Sequence, residues 1–201
     1  MTLTPAPVPT RRPPVPRRRR FLIAASLVVA LCAGYLTTTI GHRLDHGGSW
    51  WHGTDAQTRT EESGTVVQFA FEPGKQITFG ASIRNPGLWP VTITGVAVND
   101  GPADQHVFKI AHLAVNPADS AGNAAFDRTA SAPFRSITVA AGTELPLFVT
   151  ITIPNVEMAS GSGLFFDSLA VDFEVLGLPR HQRVPMGFRL SVHAANGYVP
   201  S

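Results

Sequence analysis

Between Val66 and Val192 this chain carries short runs in which apolar residues recur at every second position, a period that specifies strands and not helices. Val67, Phe69 and Phe71 alternate with Gln68 and Ala70; Ile77, Phe79, Ala81 and Ile83 alternate with Gln76, Thr78, Ser82 and Arg84. Val91 and Ile93 share a face, then Gly95 intervenes and Val96 and Val98 take over, which predicts a bulge that shifts the phase. A run over 107–115 shifts phase near His112, and Ile137 with Val139 make a short fifth strand. Leu145, Leu147, Val149, Ile151 and Ile153 form the longest run. Leu169 to Val175 and Val184 to Val192 complete the set. Turn chemistry bounds each run, as at Pro73-Gly74, Asn85-Pro86-Gly87, Ala141-Gly142 and Gly177-Leu178-Pro179. The pattern predicts an all-β fold, an antiparallel β-sandwich of about eight strands over 65–195. Val149, Ile151, Phe173 and Phe188 belong to its core; strand order is left open.

The N-terminal part obeys a different rule. Phe21 to Ile40 carries no charge, and about 20 residues of helix rise roughly 30 Å, the thickness of a hydrocarbon core. Arg11, Arg12 and Arg17 to Arg20 flank this run on one side only, and a positive flank stays cytoplasmic. The expectation is a Pro/Arg-rich disordered cytoplasmic tail over 1–20 and a transmembrane helix over 21–40 in the lipid bilayer. A flexible polar connector over 41–64 follows, then the extracytoplasmic sandwich and a C-terminal tail over 196–201. Trp50-Trp51 in the connector suits a membrane interface. Cleaved signals share the basic-then-apolar order, and Arg18-Arg19-Arg20-Phe21-Leu22 resembles a twin-arginine export signal. Arg17 stands where such signals carry Ser or Thr, and the apolar run exceeds the usual 7–15 residues of a cleaved signal. Leu31 before Cys32 departs from a lipoprotein signal. An uncleaved anchor is the reading adopted.

Charge follows the same partition. The tail holds six arginines and no acid, whereas Gly41 onward holds ten basic against fourteen acidic residues, a net −4. The basicity is thus a matter of membrane orientation, and a nucleic-acid partner is not expected. Cys32 is the sole cysteine and lies in the apolar run, so the sandwich is stabilised without disulfides.

The segment Phe79 to Val96, with Asn85-Pro-Gly and Pro90-Val-Thr-Ile-Thr-Gly95-Val, resembles a hairpin of bacterial extracytoplasmic Ig-like domains. The stretch Ile137-Thr-Val-Ala-Ala-Gly142 leading into Leu145 to Ile151 is similar to a second element of those domains. They occur in single-pass, actinobacterial-type membrane proteins that are mostly uncharacterised. The resemblance implies an Ig-like binding or accessory module and assigns no functional residue.

No catalytic constellation emerges. Ser160-Gly-Ser162-Gly163 lacks the strand-to-helix setting of a nucleophile elbow. Asp172 and Glu174 share a face that alternates with apolar residues, as an ordinary solvated face does. His42 and His46 would share one face if the anchor helix ran on past Ile40, His52 follows in the connector, and imidazole suits zinc, copper or nickel. Met158, Met186, His181 and His193 make a weaker copper set, and Asp100 to Asp104 lacks the ligand density of a calcium loop. No cofactor is expected. Candidate partner-binding residues are Trp89 at a hairpin tip, Phe126 and Arg128 in the long 116–133 segment, and Phe165 in Leu164-Phe165-Phe166. The function expected is a non-catalytic, membrane-anchored interaction module with an envelope-protein partner. The alternatives are a metal-handling or accessory subunit of an exported enzyme system, and a structural spacer.

Overall fold

A computed structural model describes residues 17–98, 107–116 and 126–197. The expected C-terminal tail falls partly outside these residues, as do most of the cytoplasmic tail and the 116–133 segment. The Asp100–Asp104 turn lies wholly outside them. The chain divides into two compact units, Met1–Gly41 and His42–Ser201.

The first unit contains helix α1, Arg17–Ile40. Its hydroxyls turn back on the helix: Ser26 Oγ donates to the Leu22 carbonyl at 2.8 Å and Thr37 Oγ1 to Gly34 at 3.0 Å. Phe21, Leu22, Ile23, Val29 and Leu31 are exposed. Among the described residues no helix is long and apolar enough to cross a membrane. The helix begins on four charges, Arg17 to Arg20, ahead of the apolar run.

The second unit is a mostly-β sandwich of two sheets. Its strands are β1 (Asp45–His52), β2 (Gln57–Glu61), β3 (Gly64–Ala70), β4 (Gln76–Arg84), β5 (Val91–Val98) and β6 (Lys109–Val115). There follow β7 (Ala132–Pro133), β8 (Ile137–Val139), β9 (Glu144–Thr152), β10 (Gly163–Val175) and β11 (Leu178–His193). One sheet runs β1-β4-β9-β6-β7 and the other β2-β3-β11-β10-β5-β8. Pairing is antiparallel except between β3 and β11, which are parallel, so the second sheet is mixed rather than purely antiparallel.

Both expected phase shifts are present. Asp172 pairs with Gly95 and Phe173 with Ile93, leaving Thr94 as the extra residue of β5. Ile110 and His112 pair with Ile151 and Thr150, leaving Ala111 extra in β6. Each bulge keeps apolar residues facing the core on both sides of the break.

The polar connector predicted over 41–64 is instead structured. It supplies β1, which pairs with β4, and β2, which pairs with β3. Alternation could not reveal them. Gly47 and Gly48 contribute no side chains, the β1 register shifts between His46 and Trp50, and β2 is exposed at every position. Trp50 and Trp51, read as membrane-interface residues, pack on the sandwich. Trp50 lies 5.5 Å from the Phe188 ring and Trp51 5.8 Å from Phe148.

A single core fills the space between the sheets. Val149, Ile151, Phe173 and Phe188 are all buried in it, as their register predicts. Phe79 lies 5.7 Å from Phe166 and 6.1 Å from Phe188, and Phe108 lies 5.2 Å from Phe166. The tilted and edge-on ring angles suit aromatic quadrupoles.

Candidate functional site

Trp89 stands at the tip between β4 and β5, and the tip is built on Asn85. Asn85 is fully buried, so its amide must find partners within the protein. Nδ2 donates toward the carbonyls of Trp89, Val139 and Ala140 at 2.9, 3.1 and 3.2 Å. Oδ1 accepts from the Gly87 N–H at 3.1 Å and faces His42 Nε2 at 3.0 Å. Three carbonyls around Nδ2 fix the amide orientation, so Oδ1 is the acceptor and His42 carries its proton on Nε2. The Asn85 backbone bonds Thr143 and Gly142 at 2.9 and 2.8 Å. Gly87 is small because it must be: a Cβ there would lie 2.1 Å from the His42 ring. This framework holds Leu88, 84% exposed, and Trp89, 41% exposed, at the end of the sandwich.

Phe126 and Arg128 lie elsewhere, on the outer face of the five-stranded sheet. A row of paired residues crosses that face: Trp51, Gly80, Phe148, Ala114 and Pro133. Phe126 packs edge-on against Phe148 at 5.4 Å, and the Arg128 guanidinium sits 5.5 Å from the Trp51 ring centroid. Asp127 caps the short 3-10 turn Arg128–Ala130 through the Thr129 N–H at 2.8 Å. Phe126 and the Arg128 guanidinium therefore rest on a sheet face.

Phe165, 61% exposed, points off the six-stranded sheet with Arg189 5.3 Å over its ring. Val91, two residues past Trp89, pairs with Val175, so Phe165 and Trp89 lie about 30 Å apart along β10. The four candidates thus form three separate surfaces, with only Phe126 and Arg128 brought together.

Near Phe165 the β10–β11 ladder breaks: Phe166 pairs with Leu190, but Ser168 pairs with Pro185. Four residues of β11 oppose one of β10, and Gly187 takes a φ of 78°. The bulge opens a cleft of about 540 Å³ lined by His46, Asp167, Ser168, Arg183, Phe188 and Arg189 among others. Alternation alone gave no sign of it, because Met186 and Phe188 keep the apolar phase through the break.

The histidines disperse. His42 serves Asn85, His46 borders the cleft, and His52 bonds Thr58 at 2.9 Å. Helix α1 ends at Ile40, so His42 and His46 do not share a helical face. Met158 and Met186 are buried, His181 pairs with Asp172 at 2.7 Å on the surface, and His193 bonds Ser191 at 2.7 Å. No three His, Cys, Asp or Glu side chains gather as a metal site among the described residues. Ser160 and Ser162 donate to Ala195 and Ala159 carbonyls, closing a turn. Lys75 holds its proton above the usual lysine value, first through its hydrogen bond to Glu72 and then through the charges of Glu72 and Asp55. That group sits on a surface turn apart from the features above.

No family model and no curated protein matches the chain. Distant structural matches are to β-sandwich domains. The Vibrio cholerae VesB protease is 12% identical with a TM-score of 0.34, over 70% of this chain and 32% of the protease chain. The cupredoxin domain of amoB from Nitrosocaldus yellowstonii is 10% identical with a TM-score of 0.29, over 63% and 61%. The ASH / PapD-like domain of human CEP192 is 14% identical with a TM-score of 0.29, over 72% and 88%. The chain spans about a third of the VesB chain. None of these likenesses assigns a function to it.

Proposed function

We propose that this chain is a non-catalytic Ig-like module, tethered to a bacterial membrane with its sandwich on the extracytoplasmic side, that grips another envelope protein through a loop tip. The observation that carries the reading is the Leu88–Trp89 tip. Large apolar side chains stand in water there on a backbone held by the buried Asn85. Burying such a side chain is worth about 1.5–3 kcal/mol, and tryptophan is favoured among energetic hot spots. A tip already ordered by hydrogen bonds loses little conformational entropy on binding. The tether rests on the uncharged sequence 21–40, the exposed apolar side chains between Phe21 and Leu31 and the one-sided arginines.

Two measurements test the reading. Full-length chain resists alkaline extraction from membranes, and protease added to wall-stripped cells removes the sandwich. Intact sandwich, with exported controls digested, overturns the orientation. Pull-downs from native membranes recover a partner with wild type and lose it with Trp89→Ala. Equal recovery by both overturns the tip as the binding site.

A further inference from the structure

We propose that the cleft at the β10–β11 bulge is a binding site for an oxyanion, a phosphate or carboxylate group on a small ligand. It is separate from the Trp89 tip, about 23 Å away along β10 by residue count.

Three observations converge. The first is charge: Arg183 and Arg189 line one cleft, beside the His46 ring, against a single carboxylate, Asp167. In an outer unit of net negative charge this is a local excess of positive side chains. Guanidinium groups match the planar geometry of phosphate and carboxylate oxygens. The second is size: about 540 Å³ falls within the range of small-molecule sites. The third is the backbone. An unbroken hairpin would give both strands more ladder bonds, yet β11 gives up its register here. Gly187 adopts a positive φ, and the His46 ring lies 3.5 Å from where its Cβ would be. Bulges that re-aim side chains are over-represented beside functional sites. This one brings Phe188 and Arg189 to the wall of the cleft opposite Asp167 and Ser168. Phe165, stacked under Arg189, extends an apolar shelf next to the cleft. An anionic group in the cleft could thus carry an apolar portion along that shelf.

The oxyanion could come from a soluble molecule or from a lipid head group, and the test separates the two. Full-length chain in neutral detergent is titrated with inorganic phosphate at low ionic strength. In a second arm it is bound to phosphatidylcholine vesicles with and without phosphatidylglycerol. A soluble ligand predicts saturable phosphate binding that Arg183→Gln with Arg189→Gln weakens about tenfold or more. A lipid ligand predicts that the same pair lowers binding to the anionic vesicles while phosphate alone does not bind. Asp167→Asn strengthens whichever binding is seen, a gain that misfolding cannot produce. Arg135→Gln, exposed between β7 and β8, leaves it unchanged. The inference is overturned if phosphate binding does not saturate and vesicle binding survives the double substitution, since that binding then belongs to the arginine-rich tail. It is equally overturned if Asp167→Asn changes nothing.

Discussion

The ring of Phe126 occupies the space into which a side chain on Gly80 would project: a Cβ there would lie 2.5 Å from Phe126 Cε1. Gly80 is the gap in the row that runs from Trp51 to Pro133, and Phe126 fills it. Gly80→Ala forces the ring off the sheet and costs about 1–3 kcal/mol, as overpacking does. Phe126→Ala removes the obstacle, so the glycine substitution becomes nearly neutral in that background. Denaturant melts of the two single variants and the double variant check this. Additive losses would show that Phe126 does not rest on Gly80.

Asn85 links His42, the β4–β5 tip and the β8–β9 turn. Asn85→Ala leaves several buried backbone groups without their partner, at about 1–3 kcal/mol for each one that water cannot reach. Gly87→Ala acts through the same network by driving the His42 ring out of its place. Both substitutions lower the melting temperature, and in Gly87→Ala the imidazole resonances of His42 move. Unchanged His42 signals with a destabilised fold would place the effect elsewhere.

Much of the sandwich was legible from the sequence because burial on one face of a strand writes itself as alternation. Even the bulges at Thr94 and Ala111 showed as a change of phase. What did not show were the elements where that coupling is absent: β1 with its paired glycines, and β2 with no buried side chain. The parallel β3–β11 pairing was hidden too, since alternation is indifferent to strand direction. Among candidate residues, sequence marked Trp89, Phe126, Arg128 and Phe165 by their chemistry. Their sorting into three surfaces depends on register, which one sequence leaves open. Asn85 was visible only as a turn residue; that its side chain is a buried hub needs the carbonyls of residues 139 and 140 beside it.

Arg128 and Trp89 were natural candidates for the same role, and the geometry now separates them. Arg128 lies over Trp51, a cation–π contact worth about 0.5–1 kcal/mol at such an exposed site. Arg128→Ala shifts the fluorescence of Trp51 and lowers stability slightly. Trp89→Ala leaves the melt within a few degrees and acts on partner recovery. The idea fails if Trp89→Ala destabilises the fold as strongly as the Asn85 substitution.

Phe173 faces the core from the middle of the six-stranded sheet and approaches His42 at 6.3 Å between ring centroids. Phe173→Ala costs about 3–5 kcal/mol, as for other buried phenylalanines. A loss below about 1 kcal/mol would mean that the register of β10 differs by one residue.

The start of the folded unit is the sharpest departure from a connector, and one pair of residues tests it. Gln182 on β11 accepts from the Leu44 N–H at 2.8 Å and donates to the Leu44 carbonyl at 2.7 Å. This reciprocal pair ties the entry of β1, in one sheet, to a strand of the other. Leu44 itself is buried in the shared core. Leu44→Ala therefore costs about 2–5 kcal/mol, the range for buried leucines. Gln182→Ala costs about 1–3 kcal/mol by leaving the Leu44 backbone unpaired. Because both changes act at one junction, their combined cost falls short of the sum. Deleting 42–56 goes further. It strips the edge of β4 of its partner and removes the Trp50 contact with Phe188. Against a total stability of about 5–15 kcal/mol, the shortened chain should lose its cooperative melt. A flexible connector would tolerate all three changes, so full-length and deleted chains melting together would sink the assignment of β1 to the sandwich.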